Sequence, residues 1–216
     1  MNEKPILFKG DMVRAILEGR KTETRRIIKN VTINDWDKND PNYGPFTEDQ
    51  YGDHHKTADL CPYGQIGDRL WVRETWRFLG GKRIGDSEEI TIEYKDGIII
   101  NHKTEWKFGR DIKSNKWKPS IHMPRVVSRI TLEIIDIKVE RVQDITEEGA
   151  FAEGIGVYYK KDSKENHYAF SDGYTNYYAI TGKKIFEYLW DSINKKRGFS
   201  WDSNPWIWVV KFKRII

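Results

Sequence analysis

Between Ser128 and Val142 the apolar residues change parity in mid-run. Ile130, Leu132 and Ile134 alternate on one face of an extended chain. Ile135, Ile137 and Val139 then alternate with the opposite phase. Side chains in a strand repeat every two residues, so one extra residue at Ile134-Ile135 moves every later side chain to the other face. The pattern predicts a long strand broken by a β-bulge or sharp bend, a device that curves a sheet toward a barrel.

Other segments fit around that strand. Residues 5–8 (PILF) read as a short strand. Asp11 to Gly19 reads as a helix, with Met12, Val13, Ile16 and Leu17 on one face. Residues 30–60 are polar, carry Pro41 and Pro45, and read as an excursion without its own core. After the turn Gly67-Asp68, Leu70, Val72, Glu74 and Trp76 share a face, which aims Glu74 at a cleft or the interior. Residues 90–100 predict a hairpin turning at Asp96-Gly97. Asp144 or Thr146 can cap a short helix that runs through Ala150 and Ala152 to Glu153 and stops at Gly154.

Residues 156–180 are rich in Tyr, Lys and Gly and read as an insertion. Lys183 to Asn194 is amphipathic, and the chain closes on a strand with Trp206, Trp208, Val210 and Phe212 on one face. Strands without a βαβ rhythm and three helices predict a single α+β domain over residues 1–216. Its expected form is a curved, mostly antiparallel sheet with peripheral helices.

The segment Gly19-Arg20-Lys21-Thr22-Glu23-Thr24-Arg25-Arg26 follows the first helix directly. Lysine and arginine are seldom buried unpaired, so it reads as an exposed polar corner, peripheral to the core. The bland reading of the same residues is a solvated basic loop. The net charge of +4 is too small to establish nucleic-acid binding. Local clustering says more: Arg20, Lys21, Arg25, Arg26 and Lys29 are followed much later by Lys195, Lys196 and Arg197. Nine tryptophans supply either core or stacking platforms for bases.

No apolar run approaches the ~18 residues of a membrane span, and residues 1–10 lack an apolar signal core. The lone Cys61 excludes an internal disulfide and fits a reducing cytoplasm, the expected location. His54, His55, Cys61 and His122 match no standard zinc spacing, so no metal or other cofactor is expected.

GRKTxTxR after a helix, the later Gly67-Asp68 turn, Asp144-Ile145-Thr146-Glu147 and Ala152-Glu153-Gly154 follow one another in the order seen in ASCH domains, relatives of the PUA RNA-binding fold. The longer phrases LEGRKTETRR, CPYGQIGDRLWVRETW and IHMPR resemble ASCH-like proteins encoded by phages and prophages. The resemblance spans nearly the whole chain. It implies a PUA-like β-barrel with a cleft between barrel and helices, and RNA or a modified nucleoside as the ligand. One branch is similar to bacterial N4-acetylcytidine amidohydrolases. Carried over by motif, its catalytic residues fall on Lys21, Thr24 and Glu153. The chain is about twice as long as that small enzyme, with the extra length near 30–60, 80–120 and 156–182.

Two functions follow: a binding module for RNA or a nucleoside, or an amidohydrolase acting on an acylated cytidine. Arg20, Arg26, Glu74 and Trp76 are the expected ligand-binding residues beside the three carried over. A threonine hydroxyl needs a base before it attacks a carbonyl. Lys21 serves as that base only when neutral, whereas a charged Lys21 would stabilise an oxyanion. Both roles stay open at the level of sequence. If Lys21 stays charged, Glu153 is the better general acid/base, protonating the leaving cytosine amine.

Overall fold

The structure, a computed structural model, describes residues 1–29, 46–48, 54–105, 115–158, 167–171 and 176–215. Along the chain lie β1 (Glu3–Leu7), α1 (Gly10–Leu17), β2 (Glu23–Ile27), β3 (Phe46–Glu48), β4 (His54–Lys56), β5 (Arg69–Arg73), β6 (Trp76–Ile84), β7 (Ser87–Tyr94), β8 (Ile99–Thr104), β9 (Thr131–Arg141), α2 (Glu147–Ala152), β10 (Gly156–Tyr158), β11 (His167–Ser171), β12 (Asn176–Ala179), α3 (Gly182–Asn194) and β13 (Trp206–Arg214). The fold is α+β, as expected. No helix among the described residues is long and apolar enough to cross a membrane.

The main sheet has the order β1-β5-β9-β13-β2. The β1–β5 pair is parallel and the other pairs are antiparallel. Strands β1 and β2 are its two edges, so among the described residues the sheet does not close into the expected barrel. One side chain spans the opening: Arg26 of β2 donates from Nη2 to the Leu7 carbonyl of β1 at 3.1 Å.

The parity switch in β9 is a bulge. Opposite it, Lys211 pairs with Asp136 and the next residue, Phe212, pairs with Ile134, which leaves Ile135 without a partner. Ile134 is fully buried and Ile135 is 38% exposed. The core therefore keeps Leu132 and Ile134 while the strand bends around the extra residue.

Strand β13 departs from the one-faced reading. Trp208, Val210 and Phe212 pack with Leu70, Val72 and Leu132 in one core. Ile207 and Val209 pack with Ile185, Phe186 and Trp190 of α3 in a second. A strand covered on both faces reads as an unbroken apolar run, which is how Trp206-Ile207-Trp208-Val209-Val210 reads. Helix α3 is thus the lid on the second face, with Trp190 Nε1 donating to Phe199 O at 2.9 Å to close its C-terminal turn.

The extra length builds separate small sheets: β6-β7-β8 over a third core around Trp76, Ile90, Ile92 and Tyr94, and β10-β11-β12. The predicted turn at Asp96-Gly97 joins β7 to β8, with Gly97 at φ +85°. Most of the 30–60 insertion lies outside the described residues, as does Trp106.

The bulge makes neighbouring isoleucines unequal. Ile134→Ala is expected to cost about 2–5 kcal/mol, as for other buried large-to-small changes, and Ile135→Ala less than about 1 kcal/mol. Urea denaturation of the two variants checks this, and equal losses would mean the phase slip lies elsewhere.

Candidate functional site

Three chain segments converge where α1 ends. Gly19 takes φ +75° after α1, and the amides of Arg20 and Lys21 both donate to Ala15 O. This left-handed glycine cap turns the chain back toward β2. Helix α2 is started by the Thr146 hydroxyl, which accepts from Gly149 N, and it ends at Gly154 with φ +92°. Its last residues lie against the turn: Lys21 and Glu153 form a backbone bridge, and Thr22 N donates to Ala152 O at 2.8 Å. A Cβ on Gly154 would sit 2.8 Å from Ala15 Cβ and 3.0 Å from Lys21 Cβ. Glycine is thus required there both for its φ and for the close approach.

The approach buries Lys21, whose side chain is 0% exposed. The corner expected to be exposed is instead partly interior: Lys21, Thr24 and Arg25 are buried while Gly19 and Arg20 stay exposed. The ammonium donates to Glu153 Oε2 at 2.5 Å, to Glu23 O at 2.8 Å and to Glu153 O at 3.0 Å. Three protons meet three oxygens, the inventory of a charged lysine. Burial pulls its pKa below the ordinary lysine value, and the Glu153 carboxylate opposes that pull without cancelling it.

Strand alternation divides the rest of the segment. Glu23 and Arg25 face α2. Arg25 Nη1 lies 3.5 Å from Glu153 Oε1 and 3.3 Å from Glu23 Oε2, and its Nε donates to Glu140 Oε1 at 3.1 Å. Burial lifts the pKa of Glu140, with Arg25 opposing. Thr24 and Arg26 face the other way. Thr24 is 0% exposed, and its hydroxyl accepts from Arg26 Nη1 at 2.6 Å. The structure therefore joins Lys21 to Glu153 directly, while Thr24 engages Arg26.

A cleft of about 700 Å³ opens between the β1 and β2 edges and under α3. Glu153, Arg25 and Arg26 line its polar side, and Phe186, Trp190 and Trp208 are among its aromatic lining. Tyr63, from the loop before β5, also lines it, as do Lys9, Lys29 and Arg197. Burial raises the Tyr63 pKa, and the Arg26 charge and hydrogen bond pull against it.

The remaining expected ligand-binding residues lie elsewhere. Arg20 bonds Glu18 through Nε and Nη2 and reaches Gly154 O at 2.7 Å through Nη1, so it fastens α1 to the end of α2. Glu74 does point inward, but it takes a bidentate bond from Arg129, at 2.8 and 2.7 Å, and does not line the cleft. Arg129 also binds Asp96 at 2.7 Å and covers the Tyr94 ring at 4.1 Å. Burial raises the Glu74 pKa more than Arg129 lowers it. Trp76 is 0% exposed in the third core and offers no face for stacking. Its period-two position beside Leu70 and Val72 was already the signal of a core residue.

Sequence reasoning missed Arg25, Tyr63 and the α3 aromatics as parts of the site. Arg25 was legible in principle, since period two places it with Glu23 and apart from Thr24. Among the described residues, no group of three His, Cys, Asp or Glu side chains is placed to hold a metal. Compared with protein-family models, with curated proteins and with solved structures, the chain matches none.

Removing one member of a buried ion pair strands the other. Lys21→Met and Glu153→Gln are each expected to cost about 3–5 kcal/mol, and the double variant less than their sum. A denaturation double-mutant cycle reads the coupling, and additive losses would mean the two groups do not act as a pair.

Proposed function

We propose that the cleft binds a nucleobase with its sugar, either as a free modified nucleoside or within RNA, on a PUA-like, ASCH-type scaffold. The observation that carries this reading is a carboxylate, Glu153, on a cleft that combines aromatic lining with cationic side chains. The volume of about 700 Å³ falls in the range of small-ligand sites. Lys21 and Arg25 occupy only part of the acceptor capacity of Glu153. The remaining lone pairs suit an exocyclic amine, the kind of donor that cytosine N4 presents. Phe186, Trp190 and Trp208 are only 2–3% exposed, so the half-buried Tyr63 is the lining ring open to the flat face of a base.

Binding is favoured over turnover by the positions of the other two carried-over residues. The Lys21 ammonium is enclosed and fully hydrogen-bonded, and the Thr24 hydroxyl is fully buried against Arg26. A nucleophile has to come within hydrogen-bond reach of its carbonyl. The second reading, hydrolysis of N4-acetylcytidine, rests on the direct Lys21–Glu153 pair. In it the Glu153 carboxylate, held by Lys21, would take a proton from a water that attacks the acetyl carbonyl and pass it to the departing cytosine amine, giving acetate and cytidine.

Calorimetric titration with cytidine and N4-acetylcytidine, followed by chromatography of the mixtures, separates the readings. Binding without release of acetate is the expected outcome, with Glu153→Gln weakening affinity at least about tenfold through loss of a charged acceptor. Acetate release that disappears in Glu153→Gln would select the hydrolase. Absence of binding to nucleosides and to single-stranded RNA alike would end both.

A further inference from the structure

Among the described residues the charges around the cleft do not balance. Lys9, Arg26, Lys29 and Arg197 all line it. Among the described residues none of the four pairs with a carboxylate. Among the described residues, the one carboxylate in the lining, Glu153, is already matched by Lys21 and Arg25. Four cations left facing one concave space create a field that favours an anion there.

Two of these cations are held for the purpose by neutral groups. Arg26 donates from Nη1 to Thr24 Oγ1 at 2.6 Å and to Arg25 O at 3.0 Å, and from Nη2 to Leu7 O at 3.1 Å. Each of these acceptors is uncharged, so the guanidinium is oriented without being neutralised. Arg197 has one similar tether, Nη1 to Asn194 Oδ1 at 3.4 Å. Both cations line the cleft together with Tyr63, and both favour the ionised form of its hydroxyl. Arg26 comes from β2, Tyr63 from the loop before β5 and Arg197 from the turn after α3, so three separate segments converge on this point.

We infer that Arg26, Tyr63 and Arg197 form a phosphate seat at the cleft, so that its ligand is a phosphorylated nucleoside, or a nucleotide within RNA, and not a neutral nucleoside. The inference rests on the nucleoside-binding reading and narrows it. A planar guanidinium suits phosphate oxygens, and a tyrosine hydroxyl adds a neutral donor. Thr24 becomes a positioning residue: its buried hydroxyl fixes Arg26 and does not touch the ligand.

The test is calorimetric titration at fixed ionic strength with the four ribonucleosides, their 5′- and 3′-monophosphates, inorganic phosphate, and a short RNA with hydroxyls at both ends. The best monophosphate is expected to bind at least about tenfold tighter than its nucleoside, the scale of one charge-assisted contact. Tight binding of the hydroxyl-ended RNA would assign the seat to a phosphodiester, and preference for a monophosphate to a terminal phosphate. In Arg197→Gln, at an exposed position, the ratio of nucleotide to nucleoside affinity should fall toward one. Lys196→Gln removes a neighbouring charge outside the cleft lining and should keep the ratio. Thr24→Val should lower the ratio and Thr24→Ser restore it.

Nucleosides that bind as tightly as their phosphates would overturn the seat while leaving the nucleoside reading intact. A ratio that falls equally in Lys196→Gln would overturn it as well, by showing only a net-charge effect. Binding of inorganic phosphate without any nucleoside or nucleotide would sustain the seat and remove the nucleoside reading. No binding of any of these probes would overturn both.

Discussion

The contact between Lys21 and Glu153 sets the geometry of everything near the cleft. Two opposite charges at 2.5 Å, both nearly without solvent, are tolerable only because every proton of the ammonium has an oxygen. Meeting that requirement forces the turn after α1 against the end of α2. The backbone bridge between the same two residues and the close approach of Gly154 to Ala15 follow from it. A buried ion pair adds little net stability over an apolar replacement, yet losing half of it is costly. Its consequence here is positional: it holds a carboxylate against a cleft at a defined place and orientation.

The cleft exists because the sheet stays open. Strands β1 and β2 end the five-stranded sheet without pairing to each other, and Arg26 crosses the gap to Leu7 O. Helix α3 packs on Ile207 and Val209 of β13 and also lines the opening with Phe186 and Trp190. The opening therefore has aromatic residues from α3 on one side and basic residues from β2 on the other. Cations without a carboxylate partner among the described residues line one side and apolar residues the other, the combination suited to an amphipathic ligand with a flat ring and an anionic group.

The same rule of paired burial operates far from the cleft. Glu74, Arg129 and Asp96 form a second enclosed ion group against Tyr94, whose hydroxyl donates to Val127 O at 2.7 Å. That group fastens the β6-β7-β8 sheet to the loop before β9. Glu74 and Glu153 look alike in one dimension, each a carboxylate next to apolar residues. Only their partners in space separate a structural carboxylate from one that borders a cleft.

Local periodicity determined a great deal of this protein. The α1 and α3 stripes, the hairpin at Asp96-Gly97, the cap at Thr146 and the bulge at Ile135 all follow from patterns within about a dozen residues, where backbone sterics and side-chain period act directly. The Lys21–Glu153 pairing was reachable only through motif order, because 132 residues separate the two and no local rule links them. Tertiary structure alone decided that Lys21 and Arg25 of the basic corner are buried, that Thr24 faces Arg26, that Trp76 is core, and that the sheet remains open between β1 and β2. Each depends on which distant element covers which face. Burial by a remote helix, and the partners it brings to a charge, are properties of packing and leave no periodic trace in the chain.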